Sequence, residues 1–241
     1  MTRCFQAFVS LAVLLAACSE AAVPDVQETP PPEETVALAS PAEETSDMVA
    51  SGSATVIVML GDSLTAGYGL PGPAALPAVI ERRLIERGLD VSLINAGVSG
   101  DTTAMGLARY DWSVASAQPD MLVIALGAND FLRGVPAGIA YGNLAQIIER
   151  AKSKGIDVVL AGLEPRFTEV PESLQAEYAA VYPRLAKDFD VPLYSGFMRG
   201  VWSEPDLLMM DGLHPTVEGV ERMADRLTDF LAAELEGEGA P

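Results

Sequence analysis

Five short runs of apolar, largely β-branched residues punctuate the chain, each separated from the next by enough residues for a helix. No other feature narrows the possible folds as much. The runs cover residues 55–60, 91–95, 121–126, 157–160 and 191–194, and amphipathic segments cover 76–87, 103–117, 143–154, 171–188 and 215–235. Continuously apolar strands are buried on both faces, and parallel neighbours can be joined only through a crossover. The pattern therefore predicts one α/β domain over residues 54–236, with a parallel sheet covered by helices on each side.

In an open sheet of this kind, ligands meet the protein at the carboxyl ends of the strands, where loops feed helix N-termini. Every motif of chemical interest falls at that edge. Gly61-Asp62-Ser63-Leu64 follows the first run, residues 95–101 the second and Gly127-Ala128-Asn129-Asp130 the third, while Asp211-Gly212-Leu213-His214-Pro215 precedes the last helix. His214 is the only histidine and stands three positions after Asp211. A carboxylate that close can rest against Nδ1, fix the tautomer and free Nε2 to take a proton from a serine hydroxyl.

Ser63 lies at a strand-to-helix turn between Gly61 and Gly67, which suits a nucleophile whose own N–H faces a developing oxyanion. Read alone, it could equally cap a helix. Gly100 allows a backbone N–H to approach a ligand closely, though an ordinary turn also uses glycine. Asn129 offers an amide donor on a short stem, which an Asx turn would use as well.

Taken together, GDSLTAGYGL at 61–70, NAGVSGDTT at 95–103, LGANDFLRG at 126–134 and DGLHP at 211–215 resemble the four sequence blocks of the SGNH hydrolases. Within that family the chain is most similar to the bacterial thioesterase I, lysophospholipase and arylesterase group. The resemblance spans the domain from Thr55 to the C-terminal helix. It implies a three-layer α/β/α fold around a flavodoxin-like parallel five-stranded sheet. It also implies Ser63, Asp211 and His214 as the catalytic triad, with Ser63, Gly100 and Asn129 as oxyanion-hole donors. The expected activity is hydrolysis of acyl esters or thioesters through an acyl-enzyme. A carbohydrate O-deacetylase or O-acyltransferase acting on envelope glycans with the same triad is the alternative.

The N-terminus carries a different message. Met1-Thr2-Arg3 is followed by an apolar run to Ala17, too short to span a bilayer and shaped like a secretory signal. Leu15-Ala16-Ala17-Cys18 resembles the bacterial lipobox, which implies a signal peptide over residues 1–17 and lipidation of Cys18. Residues 18–53, rich in Pro, Glu, Ala, Ser and Thr and without lysine or arginine, read as a disordered acidic tether, and 237–241 as a disordered tail. The domain is thus expected to be lipid-anchored in the bacterial envelope. By resemblance to Gram-negative lipoproteins, Ser19 after Cys18 implies the periplasmic face of the outer membrane.

Composition removes several function classes. The only other cysteine, Cys4, lies in the expected signal, so cysteine catalysis and cysteine-based metal sites are excluded from the mature domain. Fifteen basic against 34 acidic residues give a net charge of −19, which disfavours nucleic acid as a partner. A lone histidine has no metal-binding companion. Asp62, Asp101, Asp130 and Asp211 are expected to brace or cap loops, so neither metal nor cofactor is expected. Phe131, Phe167, Met209 and Met210, with residues 162–172, are the candidate walls of an apolar pocket, although such residues are as often ordinary core. Because neutral imidazole would act as base, activity should fall as pH drops below about 6.5.

Overall fold

The computed structural model describes residues 54–164 and 170–237. The expected signal peptide, Cys18 and the tether lie outside them, as do Phe167 and the last four residues of the expected tail. Within them β1 (Thr55–Gly61), β2 (Val91–Gly97), β3 (Met121–Ala125), β4 (Asp157–Gly162) and β5 (Leu193–Ser195) form one parallel sheet. Its order is β2-β1-β3-β4-β5, the flavodoxin-like order expected. The chain steps from β1 to β2 on one side and then crosses to β3 on the other. This reversal opens a crevice at the carboxyl ends of β1 and β3. Gly61 pairs with both Gly97 and Ala125, so β1, β2 and β3 bring their following loops to one level.

Eight α-helices are described: α1 (Ser63–Ala66), α2 (Leu76–Glu86), α3 (Thr103–Ala108), α4 (Tyr110–Ser113), α5 (Ala128–Leu132), α6 (Ala137–Lys152), α7 (Glu172–Phe189) and α8 (Val217–Leu235). Successive strand residues point to opposite faces, and both faces are buried. Ile57, Met59, Met121, Val123 and Val159 pack under α2 and α8, while Val58, Leu60, Leu122, Ile124, Val158 and Leu160 pack under α6 and α7. The result is three layers, α/β/α. Edge strand β2 is the exception to two-sided burial, since Val91 and Leu93 are covered but Ile94 is exposed.

Three boundaries differ from the sequence expectation. The segment 103–117 is not one helix: α3 stops at Arg109, α4 follows, and Ala115–Ala117 closes in a 3-10 turn. Arg109 is drawn inward to partners on two other loops, and such tertiary ties override helix propensity. Helix α6 begins at Ala137 rather than residue 143. Gly138 and Gly142 obscured its first turns in the sequence, yet Ala137, Ala140, Leu144, Ile147, Ile148 and Ala151 bury one continuous stripe. Helix α8 begins at Val217, because Thr216, not Pro215, caps it through Oγ1 to the Gly219 N–H.

Candidate active site

The loop that carries Ser63 is set by β1 and its immediate turn into α1. Asp62 is the N-cap: its Oδ1 accepts from the Leu64 N–H at 3.0 Å. The capping role open to Ser63 therefore falls to its neighbour, and Ser63 keeps its hydroxyl for another partner. That partner is His214, whose Nε2 lies 2.9 Å from Ser63 Oγ across 151 positions of sequence.

His214 is held by a closed loop. Met209 N–H donates to the His214 carbonyl at 2.7 Å, Thr216 N–H donates to the Leu207 carbonyl at 2.9 Å, and Leu208 bridges to Pro215. Inside this loop Asp211 Oδ1 accepts from the N–H groups of Leu213 and His214, at 2.9 and 3.0 Å, and Oδ2 meets His214 Nδ1 at 2.7 Å. The backbone N–H of His214, its ring and the Leu213 N–H hold the Asp211 carboxyl down to about 2. A carboxylate so held can only accept, so Nδ1 carries the proton and Nε2 presents its lone pair to the Ser63 hydroxyl. Tyr68 lies against the imidazole, with ring centroids 4.3 Å apart.

The other expected residues reach the same crevice. Asn129, on the short helix after β3, donates from Nδ2 to the Asp101 carbonyl at 3.0 Å and makes a longer contact of 3.5 Å to Asp62 Oδ2. Gly100 has φ +85°, in the left-handed region where a side chain is strained. Its carbonyl accepts from Arg133 Nη2 at 2.9 Å. Among the described residues, the N–H groups of Ser63 and Gly100 meet no protein acceptor. Asp62 does not turn wholly away, as adjacency to Ser63 had suggested. It borders the cavity, with Oδ2 3.5 Å from Asn129 Nδ2. Burial raises its carboxyl to about 6, against the opposing pull of the Leu64 N–H and the His214 charge.

With this geometry in view, the likeness to known proteins is specific. The GDSL-like Lipase/Acylhydrolase family model matches residues 59–222. The chain belongs to that family. It is 37% identical over 190 residues to the arylesterase of Vibrio mimicus, covering 77% of this chain and 90% of that protein. It is 35% identical over 185 residues to thioesterase 1/protease 1/lysophospholipase L1 of Escherichia coli strain K12, covering 74% and 84%. The psychrotrophic esterase EstA of Pseudoalteromonas sp., solved in a form inhibited by monoethylphosphonate, superposes with a TM-score of 0.71 at 26% identity, covering 76% of this chain and 99% of its own. This GDSL-family protein is a hydrolase acting on ester bonds.

The crevice of this GDSL hydrolase holds a cavity of about 310 Å³. Its apolar walls are Leu64, Tyr68, Leu132, Leu163, Trp202 and Leu213. Leu163 belongs to the 162–172 loop nominated as a wall, Phe167 lies outside the described residues, and Phe131, Met209 and Met210 are elsewhere. Phe131 is buried edge-on against Tyr178 in the α6–α7 core, and Met210 is fully exposed. Met209 sits beside Gly69. Phe131 faces inward because α5 is one turn long, and the turn that offers Asn129 and Leu132 to the cavity must bury Asp130 and Phe131.

Sequence reasoning missed Arg109. Arg109 is 6% exposed, and its guanidinium donates from Nε to Asp101 Oδ2 at 2.6 Å and from Nη2 to the Gly61 carbonyl at 3.0 Å. It ties the Gly100 loop to the end of β1. A lone arginine inside an amphipathic segment gives no sign of such a bond before the fold is known. Asp130, expected as a brace, accepts from both the N–H and the hydroxyl of Thr103, at 2.8 and 2.6 Å. Among the described residues, no group of His, Cys, Asp or Glu is placed to hold a metal ion.

Proposed function

We propose that the protein is a serine-dependent carboxylic ester hydrolase acting through an acyl-enzyme. The observation that carries this reading is the chain Asp211 Oδ2, His214 Nδ1, His214 Nε2, Ser63 Oγ, with successive hydrogen bonds of 2.7 and 2.9 Å. His214 Nε2 takes the proton as Ser63 Oγ attacks the acyl carbon, and the imidazolium is stabilised by Asp211. The oxyanion is received by the N–H groups of Ser63 and Gly100 and by Asn129 Nδ2, fixed donors that need no rearrangement as charge develops. His214 then returns the proton to the leaving alcohol or thiol, and water activated by the same imidazole releases the acid.

The walls favour an acyl chain over a sugar. Four leucines and the faces of Tyr68 and Trp202 surround the nucleophile, a lining suited to apolar ligands. Short to medium acyl, aryl and lysophospholipid-like esters are the substrates proposed, and the relatives named for arylesterase, thioesterase and lysophospholipase activity support that range. The mature chain is proposed to be acylated at Cys18 and held by the 18–53 tether at the periplasmic face of the outer membrane.

Hydrolysis of p-nitrophenyl esters from acetate to palmitate, with Ser63→Ala alongside, tests the catalytic reading. Turnover is expected on the shorter esters and its loss in the variant. Equal rates in both proteins would refute it. For the anchor, incorporation of labelled palmitate that disappears in Cys18→Ser is expected, and unchanged labelling would exclude acylation at that cysteine.

A further inference from the structure

Four of the exposed large apolar side chains among the described residues flank the loops of the proposed site. Tyr68, Val98, Leu132 and Met210 are 51%, 40%, 40% and 107% exposed. They stand five residues after Ser63, two before Gly100, three after Asn129 and one before Asp211. The loops that bear them touch. The Met209 side chain lies 3.2 Å from the position a Cβ of Gly69 would occupy, joining the Met210 loop to that of Tyr68. Arg133 bonds the Gly100 carbonyl, joining the Leu132 turn to the Val98 loop. Tyr68 and Leu132 also line the cavity itself. The mouth is thus rimmed on both sides by apolar groups facing water, an arrangement that marks an interaction surface.

We infer that this rim docks onto a zwitterionic lipid surface, from which an acyl ester enters the cavity. The inference rests on the acyl-ester reading of the Ser63 site. Charge selects the occupant: a chain of net −19 repels a second copy of itself and anionic lipid alike. The length of chain ahead of the domain agrees. Strand β1 starts at Thr55, at the end of the sheet opposite Ser63, so an anchor joined directly there would hold the site away from the bilayer. A flexible chain of the 37 residues from Cys18 to Ala54 would span about 30 Å or more. A seven-residue strand is about 23 Å long. A domain tethered at Cys18 could therefore turn its site edge to the membrane.

EstA is matched over 99% of its own chain, so residues 54–241 can be tested without the anchor. The measurements are partition onto phosphatidylcholine vesicles and turnover of a water-soluble short-chain p-nitrophenyl ester. Val98 and Met210 line no part of the cavity, so Val98→Ser with Met210→Ser should leave soluble-ester turnover unchanged while weakening partition about tenfold. Met210→Trp should strengthen partition. Soluble turnover without vesicle partition, or partition equal in all variants, would overturn the docking face while leaving the esterase standing. Self-association weakened by the double variant, with no vesicle binding, would assign the rim to a second copy and likewise overturn it. Absence of soluble turnover would instead remove the reading on which the inference rests.

Discussion

Arg109 and Asp101 form an ion pair of 2.6 Å with both side chains more than nine-tenths buried, and the same guanidinium holds the carbonyl that ends β1. The pair joins the loop of Gly100 to the turn that carries Ser63. Its geometry therefore sets the distance between two of the proposed oxyanion donors. Arg109→Met leaves Asp101 as an uncompensated buried carboxylate, which typically costs about 3–5 kcal/mol. Adding Asp101→Asn should recover part of the stability, because the stranded charge is gone, but not the turnover. Denaturation midpoints and kcat of the two single variants and the double check this. Turnover recovering in step with stability would show the pair to be structural only.

Asn129→Ala removes a proposed donor while keeping the helix turn. Its amide also holds the Asp101 carbonyl. Turnover should fall about 10²- to 10³-fold, chiefly in kcat, as for other oxyanion-hole donors. Steady-state kinetics on one soluble ester decides it, and a change confined to KM would assign Asn129 to ground-state binding.

A single methyl group at Gly97 should disable the site from behind. A Cβ there would stand 2.3 Å from the Ala66 N and 2.8 Å from the Thr65 carbonyl carbon, both backbone atoms of the helix that begins at Ser63. Gly97→Ala must displace α1 or β2, at a cost of about 1–3 kcal/mol. A displacement of about 1 Å at Ser63, the proposed nucleophile, can lower turnover 10²-fold. Thermal unfolding and kcat/KM measured together should show activity falling far more than stability.

Asp62 and Asp211 make opposite contributions to stability across pH. The Asp62 carboxyl is raised by burial to about 6, so the folded state binds its proton more tightly than the unfolded chain does. Its contribution is fullest below about pH 4 and is lost as pH rises through 6, by roughly 3 kcal/mol. Asp211 is held near 2, so its contribution is present above about pH 4 and lost as pH falls through 2. Denaturant titrations of wild type should show a decline in stability between pH 4 and 6, and Asp62→Asn should remove it. Superimposable pH profiles would mean that Asp62 titrates alike in both states.

The strands and the edge that gathers the site were legible because each is encoded locally, whereas the strand order was implied only by the resemblance to the SGNH hydrolases. Apolar runs set the strands, and four short blocks follow strand ends or precede a helix. What was not legible depends on contacts between distant segments. Arg109 reaches Gly61 across 48 positions, and the wall Trp202 joins Leu64 and Tyr68 only through the fold. Phe131 beside Asn129 looked like a pocket residue because sequence proximity does not say which way a one-turn helix faces. Tyr68, whose ring lies tilted against His214, had no signal beyond its place in GDSLTAGYGL.

Attack of Ser63 Oγ on the acyl carbon can be trapped with a phosphonate ester. Intact mass and peptide mapping after treatment with a p-nitrophenyl alkylphosphonate should show one adduct per chain, on Ser63, with loss of esterase activity in proportion. His214→Ala should slow its formation by orders of magnitude. An adduct on another residue, or full inactivation with Ser63 unmodified, would show that Ser63 is not the nucleophile.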